Sequence, residues 1–188
     1  WSVERSLKML KTEYLDLLLL HRPSPLMNPT EIAEAISKLK KEGKIKHFGV
    51  SNFTLSQIGL IEKETKVDAN QIEYSLTSNE VMNDGTLDDC IIHDRLAMSW
   101  SPLGNYFRET SQANKRIKVI LSNLTKKYNA TEDQLLLAWI LKHPAKIHPV
   151  VGTATPKRLK MAMEAVAIEM ELQDWFALLE ANEGNEVA

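Results

Sequence analysis

The chain has 188 residues, one domain and a fraction at about 150 residues per domain, and its 44% apolar and 26% charged residues are those of an ordinary globular protein. Lys plus Arg total 23 against 25 for Asp plus Glu, and the resulting net charge of −2 removes the general electrostatic case for nucleic acid or an anionic membrane as partner. A single cysteine, Cys90, excludes an internal disulfide framework and a zinc site built on several thiolates, and no apolar run approaches the roughly 20 residues that span a bilayer.

The chain opens on Trp1, with no leader-like segment, so a cytoplasmic location is the expectation. Val3, Leu7 and Leu10 recur at i, i+4, i+7 and predict an amphipathic helix at once. Tyr14 to Leu20, broken only by Asp16, predicts a strand covered on both faces. Asn28-Pro29-Thr30-Glu31 is a helix start, Ile32, Ile36 and Leu39 its buried stripe, and Gly43 its stop. Lys46 to Val50 predicts the next strand. Thr54 to Gln57 then caps a helix carrying Ile58 and Ile61.

Val67 to Glu73 and Leu96 to Trp100 predict strands, with a weaker helix over Thr86 to Asp94 between them. Asn105 to Asn114 has no apolar period and predicts a surface loop. Ile117, Ile120, Leu121 and Leu124 mark a helix, and Thr131 to Gln134 caps another containing Leu135, Ala138 and Trp139. Pro149 to Gly152 predicts a last strand end. Thr155-Pro156 opens a helix through Leu159, Met163 and Val166, and a terminal helix carries Trp175, Leu178 and Leu179.

Strands alternating with helices imply a parallel sheet, either an open doubly wound sheet or a closed barrel. The open sheet ordinarily carries a glycine-rich turn after its first strand, and neither that turn nor a P-loop occurs among the seven glycines. Polar residues instead follow the strand ends: His21, Ser51-Asn52, Glu73 to Ser75, Ser101 and Thr153. A TIM barrel puts its active site there. A full barrel needs about 250 residues. The pattern therefore favours a closed, parallel eight-stranded barrel, of which the five strand–helix units in these 188 residues would supply only part.

Read in order, the strand ends are Asp16-Leu-Leu-Leu-Leu-His21-Arg-Pro23, Gly43-Lys-Ile-Lys-His-Phe-Gly49-Val-Ser51-Asn52-Phe53 and Asn70-Gln71-Ile-Glu73-Tyr74. Ser99-Trp100-Ser101-Pro102-Leu103-Gly104 and Val151-Gly152-Thr153-Ala-Thr155-Pro156-Lys-Arg158 follow. In this order and at these spacings the chain resembles the aldo-keto reductase family, in particular its compact bacterial members. The resemblance implies an α/β fold, a parallel (β/α)8 TIM barrel of which residues 1–188 supply roughly the last five strands as one partial domain. It further implies that the barrel holds NADP(H) at its C-terminal mouth and passes a hydride to an aldehyde or ketone, a small-molecule carbonyl substrate. It also implies a tetrad of Asp, Tyr, Lys and His, in which Tyr is the proton donor and His helps orient and polarise the carbonyl.

Carried over residue by residue, His21 matches the family histidine. The family's Asp, Tyr and Lys fall on strands ahead of this sequence, and Tyr14, which opens its strand, is not that tyrosine. The expectation is that the chain as given is inactive by itself. Ser51, Asn52 and Gln71 match the residues that hold the nicotinamide carboxamide, and Trp100 matches the aromatic that stacks on its ring. Ser101, Leu103 and the backbone through Gly104 match the pyrophosphate segment, and Thr153 and Arg158 match the 2′-phosphate site. Gly152 stands where better-known members carry a lysine, and Met161 and Ala162 replace a polar pair that often contacts adenine. Lys157 or Lys160 are candidates to replace the missing cation.

Each assignment has a structural alternative: Ser51-Asn52 as a helix cap in competition with Thr54, Trp100 as core filling, Gln71 as a structural hydrogen-bonder, Arg158 as a solvated charge. His47, His93, His143 and His148 share no metal-ligand spacing, so no metal is expected. Two further readings of the complete protein stay open, a noncatalytic cofactor-binding regulatory subunit and a pseudo-enzyme of the same family. A monomer is expected for the complete protein.

Overall fold

A computed structural model describes residues Trp1–Val187, and these divide into two compact units. The first comprises Trp1–Ile72 and Gly85–Ala97; the second comprises Glu73–Asp84 and the residues from Met98 onward.

The first unit is built from α1 (Ser2–Leu10), β1 (Leu15–Leu20), α2 (Pro29–Lys41), β2 (Ile45–Ser51), α3 (Leu55–Glu62), β3 (Ala69–Glu73, through Ile72) and α4 (Thr86–Ile92). β1 pairs in parallel with β2, and β2 with β3, so α2 and α3 are crossovers between parallel strands, as the alternating pattern predicts. The core is one apolar cluster in which Phe48 and Val50 of β2 meet Ile58 and Ile61 of α3 and Val3 and Leu7 of α1. Leu10, expected on the buried stripe of α1, is 66% exposed. The helix ends there, and Lys11 turns the chain with a left-handed φ of 54°. β1 is half-buried rather than covered on both faces. Among the described residues it pairs with β2, and none pairs with its other edge.

Local signals set the helix ends. Asn28 accepts from the Thr30 N–H and Pro29 occupies the first turn of α2. Thr54 and Gln57 form a reciprocal capping box on α3, with the Thr54 N–H donating to Gln57 Oε1 at 3.0 Å.

The second unit contains most of β4 (Leu96–Trp100), then α5 (Gln112–Tyr128), α6 (Glu132–Leu141), β5 (His148–Pro149), α7 (Pro156–Glu164) and α8 (Leu172–Glu183). β4 pairs in parallel with β5. Residues Gln134–Ile140 of α6 are buried on all sides. Trp139 stacks on Trp175 of α8 at 4.9 Å, and each indole N–H donates to the other residue's carbonyl.

Three expectations fail here. β5 is shorter than the predicted strand over Pro149 to Gly152: it covers His148–Pro149, and its ladder to β4 ends where the Val150 N–H donates to Ser99 O at 2.8 Å. Leu159, Met163 and Val166 are 46, 68 and 74% exposed. α6 engages another side of that segment, through Gln134 Nε2 on Met161 O and on Glu164 Oε2, and Ala165 is the buried residue. The stretch over Asn105 to Asn114 is not simply a solvated loop, since Asn114 lies buried in the first turn of α5 and donates to Glu109 O at 2.9 Å.

Candidate functional site

In the first unit the polar strand ends form an ordered row. Leu20 is in register with Val50, so His21 and Ser51 are the next positions on adjacent parallel strands, and Ser51 is in register with Gln71. Gly49 allows this approach: a Cβ there would lie 2.7 Å from Ala69 O. Ser51 is buried, while Asn52 leaves the strand with φ at 56°, a left-handed turn that asparagine tolerates better than most residues. The Asn52 N–H donates to Gln71 O at 2.8 Å, and Asn52 Nδ2 reaches Ser51 Oγ at 3.4 Å. The structure therefore brings Ser51, Asn52 and Gln71 together. Because Thr54 caps α3, Ser51 and Asn52 are not its cap.

His21 stands exposed one residue beyond β1. Tyr14 precedes the opposite end of the same strand, about 20 Å away at roughly 3.3 Å per residue. The buried Tyr74 packs against Trp139, and burial pushes its hydroxyl well above the usual tyrosine range, so it is a core residue.

In the second unit the strand ends open a cleft of about 550 Å³, within the range of about 300–1,000 Å³ common for small-molecule and cofactor sites. All seven candidates from this unit line it: Trp100, Ser101, Leu103, Gly104, Gly152, Thr153 and Arg158. The turn after β4 is locally determined. Ser101 and Gly104 both take left-handed φ, 52° and 53°, and the Gly104 N–H donates to Ser101 O at 2.8 Å. A Cβ on Gly104 would lie 2.0 Å from Thr77 Oγ1 and 2.5 Å from Ser75 Oγ, so only glycine lets the turn seat there. A Cβ on Gly152, by contrast, would meet nothing within 4 Å, and the backbone there is bare.

Thr153 Oγ1 accepts from the Thr155 N–H at 3.2 Å, which fixes the entry to α7. Arg158 lies exposed in the first turn of α7 and, among the described residues, has no recorded ion-pair partner. Lys157 and Lys160 do not line the cleft.

The sequence reading missed other lining residues, among them Phe107, Arg108, Asp133, Val150 and Val151. Phe107 is 54% exposed, and an aromatic in a stretch without apolar period was the available signal. Asp133 was hidden in the capping segment of α6. Among the described residues no group of three His, Cys, Asp or Glu side chains is placed to hold a metal ion, and no helix is long and apolar enough to cross a membrane.

A model of the Aldo/keto reductase family matches residues 1–183. The chain is 39% identical over 191 residues to the uncharacterized oxidoreductase YcsN of Bacillus subtilis (strain 168), covering 99% of the chain and 64% of that protein. It is 37% identical over 191 residues to a 6-dehydroglucose reductase of Agrobacterium fabrum, covering 100% of the chain and 63% of the relative. Among solved structures it resembles a thermostable aldo-keto reductase bound to the inhibitor epalrestat, with a TM-score of 0.86 and 25% identity over 96% of this chain and 64% of that one. An aldo/keto reductase from Klebsiella pneumoniae in complex with NADP and acetate gives a TM-score of 0.83 at 29% identity, over 95% of this chain and 62% of that one. The chain thus spans just under two thirds of the length of these relatives.

Proposed function

The chain belongs to the aldo/keto reductase family, and from that premise we propose that the complete protein is an NADP(H)-dependent oxidoreductase that reduces an aldehyde or ketone to an alcohol. The observation that carries the reading is the cleft of the second unit, where two separated sequence blocks supply an indole face, a tight glycine turn, a bare backbone at Gly152 and a guanidinium that forms no ion pair among the described residues. This donor set fits a phosphate-bearing dinucleotide. Trp100 offers the stacking face, the Ser101–Gly104 turn offers backbone N–H groups to pyrophosphate, and Thr153 and Arg158 receive the 2′-phosphate. In the first unit Ser51, Asn52 and Gln71 offer the amide and hydroxyl groups that would hold the carboxamide.

When bound, the cofactor supplies a hydride. His21, at its strand end, is the residue assigned to the carbonyl oxygen, where it donates a hydrogen bond as negative charge develops. The proton donor is assigned to the family tyrosine on a strand outside residues 1–188, so the isolated chain is expected to give no NADPH-dependent aldehyde reduction. The same reading takes these residues as one part of a (β/α)8 barrel that acts as a monomer on a small carbonyl compound, and the family's reductase relatives favour catalysis over a purely regulatory role.

Cofactor titration of the full-length protein tests the cleft. Loss of a charge-assisted hydrogen bond from Arg158 to a phosphate dianion costs about 1.5–3 kcal/mol, so Arg158→Ala is expected to weaken NADPH about ten- to a hundredfold. NADH, which has no 2′-phosphate, should be little affected; equal loss for both returns Arg158 to a structural role. His21→Ala should lower turnover more than it weakens NADPH binding, and unchanged turnover removes His21 from the carbonyl.

A further inference from the structure

The cleft of the second unit carries an arginine that no motif assigns. Arg108 lines it together with Arg158 and Gly152, and the remaining charged lining residue is Asp133. Neither arginine has a recorded ion-pair partner among the described residues, so Asp133 does not neutralise them by contact and the empty wall keeps a net positive charge.

Arg108 is also carried on a built segment. From Trp100 the chain passes through the Ser101–Gly104 turn to Asn105, whose N–H donates to Thr77 Oγ1 at 3.1 Å, and the Arg108 N–H then donates to Asn105 O at 2.9 Å. Tyr106 is buried beside this turn, and Asn114 Nδ2 holds both Asn105 O and Glu109 O from the first turn of α5. The adjacent Glu109 carboxylate accepts from Asn105 Nδ2 at 3.1 Å, which accounts for its nearest hydrogen bond. The segment is thus held firmly, while the Arg108 guanidinium, among the described residues, has no carboxylate partner and lines the cleft beside Arg158. Buried or paired arginines satisfy their charge within the fold; one aimed at a ligand does not.

We propose that Arg108 is a second phosphate-binding cation of this cleft and takes over the charge that is missing at Gly152. The inference rests on the reading of the cleft as a dinucleotide site. It assigns the role to Arg108 rather than to Lys157 or Lys160, which lie on α7 outside the lining. The bound group is a phosphate of the cofactor, either the 2′-phosphate or the pyrophosphate.

The test is titration of the full-length protein and its Arg108→Gln and Arg108→Lys variants with NADPH and NADH, followed by tryptophan fluorescence or calorimetry. Arg108→Gln should weaken NADPH about tenfold or more, the size expected of one charge-assisted hydrogen bond. Arg108→Lys should recover part of that loss, since it keeps the charge but not the fork. A loss confined to NADPH identifies the 2′-phosphate, and an equal loss for both cofactors with an unchanged melting curve identifies the pyrophosphate; an equal loss with a lowered melting curve makes Arg108 structural and overturns the assignment. Unchanged affinity for both in Arg108→Gln overturns it. A full-length protein that binds neither nucleotide before mutation overturns the cleft reading instead, and the two failures are thereby separated. Arg108 is exposed on its segment, so the variants are expected to keep the fold, and an unchanged melting curve confirms that the binding data report the cleft.

Discussion

The two units use the same side chain in opposite ways. In the first, the Arg95 side chain is 0% exposed and fully spoken for: Nη1 and Nη2 fork onto Glu62 at 3.0 and 3.2 Å, Nε donates to Asp89 at 2.9 Å, and Nη1 also donates to Val67 O. In the second, Arg158 and Arg108 are exposed, line one cleft and have no recorded carboxylate partner among the described residues. A guanidinium sealed among carboxylates is committed to joining α3, α4 and the start of β4. One left at a cleft wall keeps its charge available. The difference teaches that one side chain type serves opposite ends, and that burial, pairing and place in the fold together separate the two uses.

The largest expected effect lies in the sealed arginine. Arg95→Met takes the guanidinium away from the partly buried Glu62 and Asp89 carboxylates and should cost about 3–5 kcal/mol, seen as a clear shift of the urea midpoint. Arg158→Ala should stay within about 0.5 kcal/mol by the same measurement. Similar costs for the two would break the contrast.

A smaller pair of effects concerns the glycines of the cleft. Gly104→Ala forces a Cβ against Thr77 and Ser75 at positive φ and should destabilise by about 1–3 kcal/mol, whereas Gly152→Ala, with open space around it, should be close to neutral. Thermal melts of the two variants compare them directly. Equal melting temperatures would show that the Ser101–Gly104 turn yields easily.

Thr54→Ala removes the cap of α3 and should cost about 1 kcal/mol. Asn52→Gly keeps the left-handed turn and should cost less, because the Asn52 backbone bond to Gln71 survives it. A larger loss from Asn52→Gly would make that side chain structural after all.

The smallest effect is one of pH. Burial acts to raise the Glu62 carboxyl, but the Arg95 guanidinium and the Val67 N–H outweigh it and hold the group below its ordinary value of 4.5. A carboxyl depressed in the folded state stabilises it fully above the ordinary value, and that contribution is lost as pH falls through the folded one. Glu62→Gln should therefore flatten the acid limb of the stability profile below about pH 4.5 and leave its slope near neutrality unchanged. An unchanged acid limb would mean that Arg95 does not depend on Glu62.

Much of this was legible in the residues. Asn28-Pro29, the Thr54–Gln57 box and the apolar period of Ile58 and Ile61 are local signals, and local signals suffice where a helix end is satisfied by its own neighbours. The strand-end motifs were legible for a related reason: a parallel sheet of crossovers delivers the residue after each strand to one end, while the grouping of Ser51 with Gln71 came from the resemblance and their register from the structure. The stripe of Leu159, Met163 and Val166 misled because periodicity shows that a helix has an apolar side without showing which side a partner covers. Asn105 to Asn114 misled for the reverse reason, since a segment with no period can be held by side-chain hydrogen bonds that have no sequence signature.

By itself, then, the sequence determined the alternation and parallel sense of the strands and the caps, because these depend on near neighbours and on the strand period, and its resemblance to a family picked out the seven residues that share the cleft. Only the tertiary structure decided that Arg95 is sealed by Glu62 and Asp89, that Gly104 is required by Thr77, and that Arg108 and Asp133 face the site of Arg158. Each of those facts joins residues far apart in the chain, and the energies of desolvation and steric overlap that fix them exist only once packing has brought those residues within a few ångströms.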